Sequence, residues 1–135
     1  MKMNLNQITL PCTNVQQSVD FYKRMGFNLI VLSDHYARFE SSLGEATFSL
    51  HLAPQAMASQ SVVIYFEVES VPDAVLELKN LGFEILQETR DQPWLWTEAY
   101  IQDPGGNRVC VYHAGENRKN PPWRINSSAN GLEEY

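Results

Sequence analysis

The chain has 135 residues, of which 44% are hydrophobic and 19% charged, a composition typical of one globular domain or of two small modules sharing a core. Its 16 acidic and 10 basic residues give a net charge of -6, whereas proteins that bind a phosphate backbone carry the opposite sign, so we expect no nucleic-acid partner. The longest apolar run is far shorter than the ~20 residues that span a membrane, and no signal-peptide pattern opens the chain. Cys12 and Cys110 lack metal-type spacing and are interpreted as reduced thiols. We therefore predict a cytoplasmic protein without a membrane partner.

The first half of the chain predicts one strand, one helix and three further strands. Residues 5–12 alternate polar and apolar side chains, as a half-buried strand does. Asn14 is suited to cap the helix that follows, and Gly26 to end it. The predicted elements are a strand at 5–12, a helix at 14–25, and strands at 27–33, 36–41 and 46–53.

The second half predicts the same succession. Ser70 is suited to cap a helix with Pro72 in its first turn, and Gly82 to end it. The residues between the halves, 54–60, lack periodicity and are interpreted as a linker. The predicted elements are a strand at 61–69, a helix at 71–81, strands at 83–89, 97–102 and 107–113, and a tight turn at 103–106.

The two halves form an internal repeat. Gly26-Phe27 and Gly82-Phe83 lie 56 residues apart, and the same offset places Val19 on Val75. The helix caps and the glycines that end the helices agree with this offset. Residues 114–135 fall outside the repeat and are interpreted as a polar tail with Trp123 as its large apolar anchor.

The segments SVDFYKRMGF in the first half and DPGGNRVCVYH in the second resemble the vicinal oxygen chelate superfamily. This superfamily includes glyoxalase I, extradiol dioxygenases and bleomycin-resistance proteins. The resemblance implies an α+β fold in which two tandem βαβββ modules form a cup-shaped mixed sheet with helices on its convex side. The resemblance covers residues 4–113, and we predict one domain at 1–113, with module one at 4–53 and module two at 61–113. It also implies a homodimer.

In metal-dependent members of this superfamily, four strand side chains hold one divalent ion, such as Zn, Ni, Mn or Fe. Carried over to this chain, the first-strand positions fall on Gln7 in module one and on Val63 in module two, and valine cannot bind a metal. The last strand of module one offers His51, or Ser49 on the same face. The last strand of module two has Cys110 where the superfamily usually has glutamate. The resemblance therefore implies at most Gln7, His51 and Cys110 as metal ligands.

Aromatic side chains are numerous on or beside the predicted strands. Such residues bind planar or cationic organic molecules by stacking and by cation–π contacts, although they also serve as core or dimer contacts. Arg38 offers a charged anchor or a surface charge. The predicted ligand-binding residues are Thr9, Arg38, Tyr65, Trp94, Trp96 and Tyr100.

Two functions stay open at this level, with an interaction domain as a weaker third. The first is metal-free binding of a small molecule in an aromatic cup, and the missing carboxylate ligand favours it. The alternative is a lyase, isomerase or dioxygenase that uses a divalent metal on a small vicinal-oxygen substrate. That alternative needs a base, and the sequence does not choose between candidates such as Glu67 and Glu98.

Overall fold

A computed structural model describes residues 1–53 and 62–125, so the predicted linker at 54–60 lies outside the described residues. The described chain forms two four-stranded sheets, each accompanied by one helix. The first sheet has the order β1-β4-β3-β2 and the second the order β5-β8-β7-β6, which confirms the internal repeat. The elements of module one are β1 (Gln7–Cys12), α1 (Val15–Arg24), β2 (Asn28–Leu32), β3 (Tyr36–Glu40) and β4 (Thr47–Leu52). Those of module two are β5 (Val63–Glu67), α2 (Val71–Asn80), β6 (Gln87–Asp91), β7 (Thr97–Gln102) and β8 (Arg108–His113).

Module one buries one face of its sheet beneath α1. The Asn14 side chain caps this helix by accepting a hydrogen bond of 2.9 Å from the backbone N–H of Gln17. Strand β1 runs parallel to β4, and β3 runs antiparallel to both β4 and β2. Alternation along the strand places Ile8 and Leu10 on the same face, but Ile8 is 37% exposed whereas Leu10 is fully buried, because the core is centred farther along the strand. The buried side chains of this core include Leu10, Val19, Tyr22, Phe39, Phe48 and Leu50.

The predicted turn after β7 belongs to the same compact unit as module one. Contacts divide the chain into one unit of Met1–Ile64 with Gln102–Val109 and a second of Tyr65–Ile101 with the chain from Cys110 onward. Within the first unit, the buried Asp103 carboxylate accepts a hydrogen bond of 2.7 Å from the Tyr22 hydroxyl. Tyr22 and Asp103 are both buried, so this bond ties the turn to α1.

The two glycines of the turn meet different constraints. A Cβ atom at Gly105 would lie 3.0 Å from both the Cys12 Cα and the Pro11 carbonyl oxygen, which are backbone atoms that cannot move aside. Gly106 has φ +91°, a conformation that side-chain-bearing residues rarely adopt. The turn therefore requires glycine at one position for space and at the next for backbone conformation.

Module two begins its helix at the predicted residue but starts β6 later than predicted. Ser70 caps α2 by accepting from the backbone N–H of Asp73 at 3.3 Å. The Phe83 N–H bonds back to the Leu78 carbonyl at 3.0 Å, and the Phe83 side chain is buried. The chain after the helix is therefore held against the helix end, and β6 spans Gln87–Asp91 rather than 83–89.

The described part of the C-terminal tail is ordered against module two. Residues Gly115–Arg118 form a short 3₁₀-helix, and the Glu67 carboxylate accepts from the N–H groups of Ala114 and Gly115 at 2.8 and 2.9 Å. Burial alone would raise the pKa of Glu67, but these two hydrogen bonds lower it below its ordinary value. Among the described residues, no helix has both the length and the apolar character required to cross a membrane.

Candidate functional site

Module two contains a cavity of about 390 Å³ whose walls are mainly aromatic. Its volume lies in the range of small-molecule sites, roughly 300–1,000 Å³. One wall comes from the strands and the hairpin that precedes β7, and the other from the segment that follows β8. The lining residues are Tyr65, Trp94, Trp96, Glu98, Tyr100, Asn117, Arg118, Pro121 and Trp123.

Three rings hold one another in place at the cavity. Trp96 stacks on Tyr112 with ring centroids 4.8 Å apart and an interplanar angle of 23°. Tyr65 meets both rings edge-on, with centroids 5.9 Å from Trp96 and 5.5 Å from Tyr112. Tyr112 is buried, whereas Tyr65 is 46% exposed, so the cluster is anchored in the core and still presents aromatic surface.

The hairpin between β6 and β7 directs its aromatic residues to the same side. The Gln92 N–H bonds to the Trp96 carbonyl at 2.8 Å, and the Leu95 N–H bonds to the Gln92 carbonyl at 3.0 Å. Leu95 adopts φ 68°, a left-handed conformation that costs about 1–2 kcal/mol for a residue with a Cβ atom. This turn allows Trp94 and Trp96, although separated by a single residue, to line one cavity.

Alternation along β7 places a carboxylate between the aromatic residues. Glu98 and Tyr100 point to the cavity, while Ala99 and Ile101 are buried and Ala99 packs with the core under α2. Glu98 is only 2% exposed. A carboxylate in such a position is costly unless it is hydrogen-bonded.

Three side chains satisfy the Glu98 carboxylate, and all three are donors. The indole Nε1–H of Trp94 donates to Oε2 at 3.0 Å, and the amide Nε2 of Gln92 and the hydroxyl of Tyr100 donate to Oε1 at 3.2 and 3.4 Å. Because all three partners donate, the arrangement suits a carboxylate whose two oxygens only accept hydrogen bonds. Oε2 takes one donor here and keeps a lone pair for a ligand.

The groups around Glu98 stay neutral. Burial raises the pKa of Cys110 to about 12, with the Glu98 charge adding to the effect. Burial likewise raises the pKa of Tyr100, and the neighbouring Cys110 and Tyr65 contribute. The buried charge of the cavity is therefore negative, whereas Arg118 is exposed at the lining and its charge is screened by solvent.

The structure brings together four of the predicted ligand-binding residues. Tyr65, Trp94, Trp96 and Tyr100 line the cavity, and Thr9 and Arg38 lie on the first sheet. Glu98 was not among the predicted ligand-binding residues, although its spacing of two from both Trp96 and Tyr100 is the signal that places it on their face. The tail residues Asn117, Arg118 and Pro121 were also not among them, because no local pattern in the sequence indicates that they line a cavity.

The donor chemistry does not fit a divalent ion at Gln7, His51 and Cys110. Gln7 pairs with Thr47 and His51 with Pro11, so Gln7 and His51 lie about 13 Å apart along the strands at ~3.3 Å per residue. Cys110 is fully buried, and its raised pKa disfavours the thiolate that binds metals. Within residues 1–53 and 62–125, no three His, Cys, Asp or Glu side chains converge as a metal cluster.

Two tandem βαβββ modules, one with a cavity of ligand size, define the class of protein to which glyoxalases and bleomycin-resistance proteins belong. A family model described as the Glyoxalase/Bleomycin resistance protein/Dioxygenase superfamily matches residues 4–111. The chain therefore belongs to this superfamily, as the two sequence motifs predicted.

Solved structures agree with the fold. A glyoxalase/bleomycin resistance protein/dioxygenase from Nocardioides is 20% identical, with a TM-score of 0.76 over 93% of this chain and 91% of that chain. A bleomycin resistance determinant encoded on the transposon Tn5 is 16% identical, with a TM-score of 0.69 over 82% of this chain and 98% of that chain. A bleomycin-binding protein complexed with bleomycin is 15% identical, with a TM-score of 0.67 over 82% and 98%. No curated protein matches the chain.

Proposed function

We propose that the protein binds a small aromatic cation in the module-two cavity and does so without a metal ion. The observation that carries this proposal is the buried Glu98 carboxylate in a cavity whose other strand-side walls are aromatic. The metal-dependent alternative has weaker support, because within residues 1–53 and 62–125 no three His, Cys, Asp or Glu side chains come together to hold the divalent ion that it requires.

The chemistry of the cavity suits a planar cation. An aromatic face attracts a cation with about 0.5–2 kcal/mol, and more when water is excluded. Tyr65 and Trp96 line the cavity, and the Glu98 carboxylate is buried, so solvent screens its interaction with a cation little. A neutral ligand would receive the stacking but not the charge interaction, so the site discriminates by charge.

The superfamily and its structures support small-molecule binding as the general role. The bleomycin-binding protein that shares the fold is seen with bleomycin. Bleomycin is accordingly one ligand to test, beside simpler cations. By likeness to the superfamily we also expect a homodimer in the cytoplasm. Light scattering that gives the mass of a single 15.4 kDa chain would refute the dimer.

Intrinsic fluorescence is a direct assay, because all three tryptophans of the chain line the cavity. We would titrate the protein with N-methylquinolinium and, as a neutral ligand of the same shape, with 1-methylnaphthalene, each with and without a metal chelator. We expect saturable quenching by the cation, at least tenfold weaker binding of the neutral compound, and no effect of the chelator. Bleomycin is titrated in the same way.

Two substitutions of Trp96 test whether binding depends on its aromatic ring or only on a bulky apolar side chain. Trp96→Phe keeps an aromatic face and is expected to retain most of the affinity, whereas Trp96→Leu removes it and is expected to weaken binding about tenfold. Equal affinity for the cation and its neutral counterpart would refute the role of charge. Loss of binding in the presence of the metal chelator would refute the proposal that the ligand binds without a metal ion.

A further inference from the structure

The exposed face of the first sheet carries a connected group of polar side chains. Strand β4 pairs with β1 on one side and β3 on the other, so alternate residues of the three strands share this face. The residues concerned are Gln7 and Thr9 of β1, Thr47, Ser49 and His51 of β4, and Tyr36, Arg38 and Glu40 of β3.

The orientation of the Gln7 amide is determined by its partners. Its Nε2 lies 2.9 Å from the Ile8 carbonyl oxygen, which can only accept, and the Thr47 hydroxyl donates to Oε1. Nε2 also lies 2.7 Å from Ser49 Oγ. Gln7 therefore donates to Ser49.

The hydrogen bond that Gln7 donates to Ser49 determines which of the Ser49 and Tyr36 hydroxyl groups donates to the other. Ser49 is completely buried, and its Oγ lies 2.5 Å from the Tyr36 hydroxyl. If Tyr36 donated to Ser49, the Ser49 proton would be buried without an acceptor, which costs about 1–3 kcal/mol. Ser49 therefore donates to Tyr36, and Arg38 Nε donates to the same oxygen at 3.0 Å. The Tyr36 oxygen accepts twice, so its own proton is available to a ligand.

The Arg38 guanidinium is held in place and still has donors to offer. Its central carbon lies 5.4 Å from the centroid of the Tyr36 ring, and Nε is used by the Tyr36 hydroxyl. Within the described part of the chain, no acceptor binds the two terminal Nη groups. Their planar fork matches the two oxygens of a carboxylate.

We propose that Arg38 and Tyr36 form a binding site for the carboxylate group of a small molecule on module one. The Nη groups of Arg38 bind the two carboxylate oxygens, and the Tyr36 hydroxyl donates a third hydrogen bond. The site shares no residue with the lining of the module-two cavity, and the proposal does not depend on the function proposed for that cavity.

The charges on this face agree with an anionic ligand. Hydrogen bonds from Ser49 and from Arg38, together with the Arg38 charge, lower the pKa of Tyr36, which makes its hydroxyl a stronger hydrogen-bond donor to an anion. Glu40, the acidic residue of the face, is engaged by the Asn28 amide at 2.7 Å. His51 lies on the strand beside Tyr36 and adds no negative charge.

Acetate is the appropriate probe, because it carries a carboxylate but neither a ring nor a positive charge that would direct it to the aromatic cavity. We would follow backbone amide signals of β3 and β4 by NMR while sodium acetate replaces sodium chloride at constant ionic strength, with sodium phosphate as a separate arm. We expect saturable shifts at millimolar acetate. Arg38→Gln is expected to weaken binding at least tenfold, and Tyr36→Phe, which keeps the ring, about fivefold.

Arg108→Gln removes the same charge at an exposed residue elsewhere in the chain and is expected to leave acetate affinity unchanged. Arg38→Lys keeps the charge without the fork and is expected to bind more weakly than the wild type. Circular dichroism establishes that each variant is folded. Shifts that are linear in acetate, or unchanged in Arg38→Gln, would overturn the site. Tighter saturation by phosphate than by acetate would overturn its assignment to a carboxylate.

Discussion

Replacement of Glu98 by glutamine removes the buried charge of the module-two cavity and changes the side-chain shape least. A ligand cation about 5 Å from this carboxylate gains roughly 3 kcal/mol at an effective dielectric constant of about 20. Loss of that interaction corresponds to about a hundredfold increase in Kd. Stacking on the aromatic residues is unchanged, so a neutral ligand of the same shape should bind the variant as it binds the wild type.

The same substitution has a predictable effect on stability. The glutamine carbonyl still accepts from the Trp94 indole, but its amide group then faces the donors of Gln92 and Tyr100. One unsatisfied buried donor costs about 1–3 kcal/mol. We therefore expect a folded variant with a lower melting temperature, which thermal unfolding measures.

Fluorescence titration with N-methylquinolinium and 1-methylnaphthalene tests the charge interaction in Glu98→Gln. Glu69→Gln is the matched control, because it removes one exposed carboxylate of the same module. It should change the Kd for the cation by less than twofold, as expected for a screened surface charge. An unchanged Kd for the cation in Glu98→Gln would refute the reasoning, as would an equal loss for the neutral ligand.

Further predictions concern stability, reactivity and metals. Asp103→Ala leaves four buried donors without their acceptor and should cost about 3–5 kcal/mol in denaturant unfolding, whereas Asp34→Ala at an exposed site should cost almost nothing. The pKa of Glu67 is lowered in the folded state, so the ionised carboxylate stabilises the fold, by less than about 1.5 kcal/mol. This stabilisation is fully present above the unfolded pKa of 4.5 and is lost as the pH falls through the folded pKa. Glu67→Gln should flatten the unfolding free energy across that pH range, and a profile identical to that of the wild type would contradict this. Burial raises the pKa of Cys110 to about 12, so a thiol reagent should label it at neutral pH only after denaturation; rapid labelling of the native protein would be inconsistent with its burial. Finally, Mn, Fe(II), Co, Ni or Zn should not raise the melting temperature through His51, and a rise that His51→Ala abolishes would restore the metal-dependent alternative.

Local features of the sequence determine most of the fold. Asn14 and Ser70 cap the two helices as predicted, because a cap depends on residues only a few positions away. The repeat follows from the same local signals in both halves, and the identical strand orders confirm it. The predicted start of β6 was wrong, because the Phe83 N–H bonds back to the end of α2 instead of joining a strand. The strand-like pattern of residues 83–89 does not reveal this alternative hydrogen bond.

The aromatic residues of the candidate site are also visible in the sequence, but their surroundings are not. Glu98 reaches the cavity by simple alternation, whereas the tail residues reach it through the packing that Glu67 stabilises. No motif in the tail indicates that Arg118 and Trp123 line a cavity. Their position depends on contacts with residues far away along the chain.

The sequence by itself therefore determined the order of elements, the repeat and the supply of aromatic, acidic and basic side chains. The tertiary structure decided which of these side chains meet. Tyr22 bonds to Asp103 across 81 residues, and the Gln7 amide reaches Ser49 across 42. Such partners are selected by strand register and packing, which cooperate over the whole fold, whereas helix caps and strand alternation act within a few residues.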